Sequence, residues 1–324
     1  RQVGATGEYD QPLGWTSDGR EVVVKGEFDG FPAITAVPAG GGAKRLLYRL
    51  DAEKKPVYGP HVLDARYVLY GVAGESADIA VLRLLDLETG VEREITRTAW
   101  AGYTRYNPSR TSDRFLYAER QNGRFEFRAV DPKGESILLR AFPDSAFPPI
   151  IGVHGDRIAY WVASEEESTL FIAEAGEDAV REVMTFPGRV GQRGGTPPVW
   201  SPDGRLLASE YRRRGFPEQF AFVVEIDPYG SAVGEPRIME DVSPSWWGLT
   251  WLPTSDAYLI VDGDVWLVPL DSSKSALKLT GEASGPTWWL ELSPDGRQVA
   301  VAPEVHSGGS IWRLDLEAML ARVR

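Results

Sequence analysis

A tight turn recurs along this chain about every 46 residues, and no other feature limits the fold so severely. Its fullest copies are Ser201-Pro202-Asp203-Gly204-Arg205 and Ser293-Pro294-Asp295-Gly296-Arg297, with Thr16-Ser17-Asp18-Gly19-Arg20 close behind. Weaker copies stand at Pro253-Thr254-Ser255-Asp256 and Ser112-Asp113-Arg114, the faintest at Leu63-Asp64-Ala65-Arg66 and Gly155-Asp156-Arg157. Proline presets φ, aspartate suits a bent backbone and glycine accepts positive φ. After every copy comes a short run of branched and aromatic residues that reads as a strand: Val22 to Val24, Val68 to Tyr70, Phe115 to Tyr117, Ile158 to Trp161, Leu206 to Ala208, Leu259 to Val261 and Val299 to Val301. Seven such units fill nearly all of the 324 residues. A repeat of ~40–50 residues with about four strands is a propeller blade. The predicted fold is therefore all-β, a seven-bladed β-propeller of four-stranded antiparallel blades.

Length alone suggests two domains, but the repeat runs from end to end, so the expectation is one domain over 1–324. Arg1 to Thr6 has no unit of its own and corresponds to Leu277-Lys278-Leu279-Thr280, which leads into the next inner strand. It is expected to form an outer strand on the last blade, whose own chain ends after Ile311 to Leu316. Such closure leaves no ring edge exposed. The end of the chain, about 315–324, reads as a short helical tail with good helix formers and an acidic first turn.

The Ser-Pro-Asp-Gly copies at Ser201 and Ser293, with Trp200 before the first, resemble the β-propeller repeat of TolB, the periplasmic partner of the Tol–Pal system. Related repeats occur in the propeller domains of prolyl-oligopeptidase-like proteases and in some polysaccharide lyases. The tryptophan–aspartate repeat family is a poorer match, since no unit carries its Gly-His and Trp-Asp pair. The TolB resemblance implies a non-catalytic scaffold presenting one face to a protein or peptide.

Composition narrows the partners. With 47 acidic against 35 basic residues the net charge is −12, which argues against nucleic acid or an anionic membrane. Zero cysteines remove disulfides, thiol catalysis and zinc–thiolate sites together. No segment approaches the ~18 apolar residues that span a bilayer, and no basic–apolar leader is present. The first residue is Arg1, so an upstream piece is expected to have been removed, whether a secretion signal, a lipid anchor or simply an expression boundary. The expected location is periplasmic or secreted, with the cytoplasm left open, and the expected state is monomeric.

In a propeller the loops entering each inner strand and those joining strands two and three gather on one face around the channel. Here they hold Trp100, Tyr103 and Arg105, then Arg212, Arg213 and Arg214, then the pairs Trp246-Trp247 and Trp288-Trp289, with Tyr9, Arg189 and Arg193 in equivalent loops. Adjacent residues of a strand point to opposite sides, so one tryptophan of each pair is expected in the core and its neighbour at the channel mouth. Inter-blade packing accounts for such residues plainly. An aromatic–cationic rim that binds a peptide or a sugar is the functional reading. The run Arg212 to Arg214 is either a solvated loop or a docking point for a carboxylate or phosphate.

Of the three histidines, His61 and His154 fall on inner strands and His306 in a loop, with no shared spacing, so neither a metal nor a cofactor is expected. Asp262-Gly263-Asp264 is a hairpin turn rather than a calcium loop, and Gly40-Gly41-Gly42 is a turn rather than a phosphate cradle. Asp86, Asp131 and Asp227 occupy one recurring turn and are structural. Nucleophile elbows and His-Glu-x-x-His are missing. The leading expectation is thus a scaffold that is not an enzyme. The alternative is a polysaccharide lyase acting on acidic glycans, with His61 or Tyr103 as base and arginines neutralising a uronate.

Overall fold

The computed structural model describes residues 2–5, 11–50, 56–63, 66–76, 79–98, 114–143, 151–163, 166–177, 179–189, 198–213, 219–239, 249–271, 273–280, 287–303 and 310–320. A first strand, β1 (Gln2–Ala5), precedes the blades. Blade one holds β2 (Gln11–Trp15), β3 (Glu21–Phe28), β4 (Phe31–Pro38) and β5 (Arg45–Arg49). Blade two holds β6 (Pro56–Leu63), β7 (Tyr67–Ala73), β8 (Ala80–Asp86) and β9 (Val91–Thr98). Blade three has β10 (Phe115–Gln121), β11 (Arg124–Val130) and β12 (Ser136–Pro143) among the described residues. Blade four is built from β13 (Ile151–His154), β14 (Arg157–Ala163), β15 (Glu167–Glu174) and β16 (Val180–Arg189). Blade five follows with β17 (Val199–Trp200), β18 (Leu206–Arg213), β19 (Gln219–Ile226) and β20 (Ala232–Met239). Blade six has β21 (Leu249–Trp251), β22 (Ala257–Asp262), β23 (Asp264–Pro269) and β24 (Leu277–Lys278). Blade seven ends the ring with β25 (Thr287–Leu292), β26 (Gln298–Pro303) and β27 (Ser310–Asp315), after which comes α1 (Leu316–Leu320).

The blades are antiparallel meanders, and β1 fills the fourth place of blade seven, in the order β1-β27-β26-β25. Gly4 lies opposite Ile311 and Ala5 opposite Ser310. Closure by the N-terminal strand is thus as the sequence predicts. The tail is helical over 316–320, where the Asp315 carboxylate accepts the Ala318 N–H at 3.0 Å and Leu316 is buried.

The recurring turn is held by one set of bonds. In blade five the Ser201 hydroxyl donates to Asp203 Oδ1 at 2.6 Å and accepts the Leu206 N–H at 2.9 Å, while Asp203 accepts the Arg205 N–H at 3.2 Å. Blade seven repeats the pattern with Ser293, Asp295, Arg297 and Gln298, and blade one does so with threonine, Thr16, in place of serine. The Ser293 and Thr16 hydroxyls hold Asp295 and Asp18 below the usual carboxylate range. Burial opposes the same effect at Asp203 and is outweighed by its hydrogen bonds. Asp131 and Asp227 each accept two backbone N–H groups in the other turn, and Asp86 accepts one plus the Arg66 guanidinium.

The core lies between blades rather than within any one of them. Leu259 and Val261 pack with Leu290, Leu292, Val299 and Val301 of blade seven, whereas Tyr258 and Ile260 of the same strand pack with Ala208, Ala221 and Val223 of blade five. Alternate residues of one strand serve opposite neighbours, so the middle strands read as continuous apolar runs. Arginines on outer strands clasp the next blade: Arg93 donates to the Lys133 carbonyl at 2.6 Å, Arg140 to that of Glu177 at 2.9 Å, and Arg237 to that of Leu270.

Candidate functional site

Inner strands touch their neighbours around the axis: β2 meets β6 and β25, β13 meets β17, and β17 meets β21. At Gly152 of β13 a Cβ would stand 1.7 Å from the Pro198 carbonyl oxygen, so only glycine permits this approach. Trp15, Trp161, Trp200 and Trp251 are buried at blade joints. Trp15 donates its indole N–H to the Glu291 carbonyl at 2.8 Å and Trp251 to that of Val199 at 2.9 Å, each reaching the inner strand of the preceding blade. Trp161 donates to the Ser209 hydroxyl at 3.1 Å. For these four, inter-blade packing is the observed role.

Several predicted rim residues, namely Trp100, Tyr103, Arg105, Arg214, Trp246 and Trp247, together with Tyr9, Arg193 and His306, lie outside the described residues. Arg212 and Arg213 are not in a loop; they end β18, where Arg212 opposes Arg189 and Arg213 opposes Gly188. The reason is that β16 runs past its own blade and supplies β18 with a second hydrogen-bonded edge. Trp288 and Trp289 lie in β25, but its register shifts between Thr287 and Trp289, which makes Trp288 the extra residue of a bulge. Strict alternation therefore fails at that pair.

His61 is on β6, the inner strand of blade two, opposite Leu69. It keeps some solvent contact yet is densely surrounded by protein, as a side chain on a channel wall would be, and burial pushes its pKa down to about 4. Among the described residues it has no hydrogen-bond partner. Lys25, on β3 opposite Gln11, has no acidic partner among the described residues, and burial lowers its pKa as well. The strand beside it, β2, is the one that touches β6. These two are basic groups without a partner among the described residues, His61 on the inner strand of blade two and Lys25 on the second strand of blade one. Sequence reading found His61 by position and missed Lys25, whose one signal is a cation inside the apolar run Val22-Val23-Val24-Lys25.

His154 belongs elsewhere. Its ring lies against Gly204 in the turn of blade five and 6.2 Å from Trp200, with Arg157 stacked 4.5 Å over the same indole. Burial and then the Arg157 charge hold its pKa down. Two polar clusters that the sequence did not suggest are likewise joints. The Glu92 carboxylate receives Tyr48 of blade one at 2.7 Å, Arg83 at 2.8 Å and Tyr70. Buried Glu119 receives the Thr96 hydroxyl at 2.7 Å and lies 3.4 Å from Arg128, which also holds Glu126. Tyr70 opposes Arg83 just as Tyr117 opposes Arg128, one device used in two consecutive blades.

No protein-family model matches the chain, and no curated protein matches it in sequence. Solved structures do. An oligogalacturonate lyase in complex with manganese overlays with a TM-score of 0.65 at 15% identity, covering 94% of this chain and 89% of that one. The oligogalacturonate lyase of Vibrio parahaemolyticus overlays at 0.64 and 16% identity, covering 96% and 90%. The β-propeller domain of the Trilobed protease from Pyrococcus furiosus gives 0.62 at 13%, covering 95% and 96%; its topology is open velcro, whereas β1 closes the ring here. TolB from Acinetobacter baumannii reaches only 0.47 over 78% of this chain.

At these identities the likeness is one of fold, the seven-bladed propeller. It corrects the leading expectation. The preference for TolB, and with it the non-catalytic scaffold that is not an enzyme, gives way because the overlays that combine the highest TM-scores with near-complete coverage of both chains are with oligogalacturonate lyases. The turn motif misled because any blade needs that turn, whatever its rim does. Manganese in one neighbour raises a metal site here, but among the described residues no group of three His, Cys, Asp or Glu side chains could hold an ion. Those residues do not fit a metal.

Proposed function

We propose that this chain is a lyase that cleaves acidic oligosaccharides by β-elimination beside a uronate carboxylate. The observation that carries the reading is His61, a neutral imidazole on an inner strand with no hydrogen-bond partner among the described residues. The near-complete overlay with two oligogalacturonate lyases supports it.

The hydrogen on the carbon next to the carboxylate is the one to remove, since the resulting charge spreads onto the carboxylate oxygens. His61 takes that proton, and the Lys25 ammonium neutralises the added charge. The electron pair then forms the carbon–carbon double bond as the bond to the glycosidic oxygen breaks, and that oxygen gains a proton from the imidazolium or from water. A pKa of about 4 makes His61 a weak base in the free protein. An anionic sugar beside it favours the charged form and raises that value, so base strength arrives together with substrate.

Screening acidic oligosaccharides for the ultraviolet absorbance of the new double bond tests the reading. Absorbance should rise with an oligouronate and be lost at least 100-fold in His61→Gln, a general-base effect of ordinary size. A folded His61→Gln variant with undiminished activity would remove His61 from the role.

A further inference from the structure

Lys25 is a cation that the fold places at a joint without supplying an anion. Along β3, Val22 and Val24 pack with Ala300 and Ile311 of blade seven, whereas Val23 packs with Val62 and Val68 of blade two. Alternation carries Lys25 to the blade-two side. Ile34, which opposes it on β4, belongs to the same cluster as Val23. On its other flank Lys25 opposes Gln11 of β2. Residues directly opposite in an antiparallel pair share a face, with Cβ atoms about 5 Å apart, so the ammonium and the amide are neighbours. Gln11 opens β2, at the end that the entering loop reaches, and β2 is the strand that meets β6. The pair thus stands on the channel-mouth side of the Val23–Val62 contact between blades one and two.

Among the described residues nothing in this joint neutralises the charge. The strands around Lys25, namely β2, β4, β6 and β7, contain neither aspartate nor glutamate. Of the acids in β3, Glu21 is held by the Arg45 guanidinium and Glu27 is exposed. Glu92, the carboxylate that does reach from blade two to blade one, is occupied by Tyr48, Tyr70 and Arg83. Burial lowers the Lys25 pKa, and no nearby charge opposes that effect. The Gln11 amide likewise has no hydrogen-bond partner among the described residues. A half-buried ammonium without a counter-ion costs stability, and costs of that kind collect where a ligand brings the missing charge.

We propose that Gln11 and Lys25 together form the subsite that tells a free uronate from its methyl ester, the ammonium taking the carboxylate charge and the amide N–H donating a second hydrogen bond. The assignment rests on the lyase reading above; it adds Gln11 to the site and makes the substrate a free acid. A carboxylate between the two completes an ion pair that the chain leaves open, and a charge-assisted hydrogen bond from the amide fixes its orientation. A methyl ester brings no charge, so the ammonium stays buried and uncompensated beside it.

The probes are trigalacturonate and its full methyl ester, titrated calorimetrically into the full chain and into Gln11→Glu and Lys25→Met. The parent should bind the acid about tenfold or more tighter than the ester. Gln11→Glu gives Lys25 a cross-strand partner of its own, so the free variant should melt no lower than the parent while its affinity for the acid falls about tenfold or more. Lys25→Met removes the uncompensated charge; it too should melt no lower, and should bind acid and ester alike. Equal binding of acid and ester by the parent, unchanged affinity in both variants, or no binding of the acid by the parent would each overturn the subsite. A Gln11→Glu variant that melts below the parent would show that the two side chains do not meet, with the same consequence. Elimination by the parent with unchanged KM in Gln11→Glu would sink the subsite and leave the lyase standing. Acid binding that is lost in both variants, with no elimination by the parent, would keep the subsite and sink the lyase.

Discussion

His61 shows how far one position can be read from its letter and its strand. The sequence places it on an inner strand but does not say what surrounds it, since its neighbours come from other strands and other blades. In the fold its pKa is depressed to about 4, against an ordinary value of about 6.5. A depressed value means that the folded state holds fewer protons than the unfolded one between those limits. The associated stability is fully present above pH 6.5 and is lost as the pH falls towards 4. The loss is of order 3 kcal/mol at most. Urea denaturation at pH 7 and pH 4.5 should show a smaller pH-dependent loss for His61→Gln than for the parent, and an imidazole titrating near 6.5 by NMR would contradict the burial. Adding trigalacturonate should move the titration upward.

At the scale of strands and turns, local and non-local information separate cleanly. Ser201-Pro202-Asp203-Gly204 was legible because everything it needs is inside the turn: a hydroxyl, a preset φ, an acceptor and a glycine at φ 69°. The bulges were not legible. Register shifts fall between the last two strands in each of blades one to five, at Ile34/Thr35, Leu82/Arg83, Phe127/Arg128, Leu170/Phe171 and Val223/Glu225. They follow from how paired strands twist, which no single run of residues displays. The splice of β16 onto β18 was hidden for the same reason, and it moved Arg212 and Arg213 out of their expected loop. Gly152 tests the inner contact. Gly152→Ala forces β13 away from Pro198 and should cost about 3 kcal/mol or more. Gly40→Ala, with no atom within 4 Å, should stay within about 0.5 kcal/mol. Equal denaturation midpoints for the two variants would refute the close approach.

For the whole molecule, the ring is held by joints of every kind. Tryptophan N–H groups, outer-strand arginines and the Glu92 and Glu119 clusters all cross from blade to blade. The seven units were visible in the sequence because the turns mark time along the chain, whereas the work done on the rim was not, because that depends on residues of different blades meeting. Removing residues 1–5 strips the edge of β27 and should lower Tm by more than about 5 °C and promote self-association. A melt unchanged by the truncation would show that β1 is dispensable. The proposed lyase eliminates rather than hydrolyses. Mass spectrometry of trigalacturonate after incubation decides it: the account requires two products whose masses sum to that of the substrate, one of them unsaturated. Products heavier together by one water, or a substrate left intact by folded protein, would contradict it.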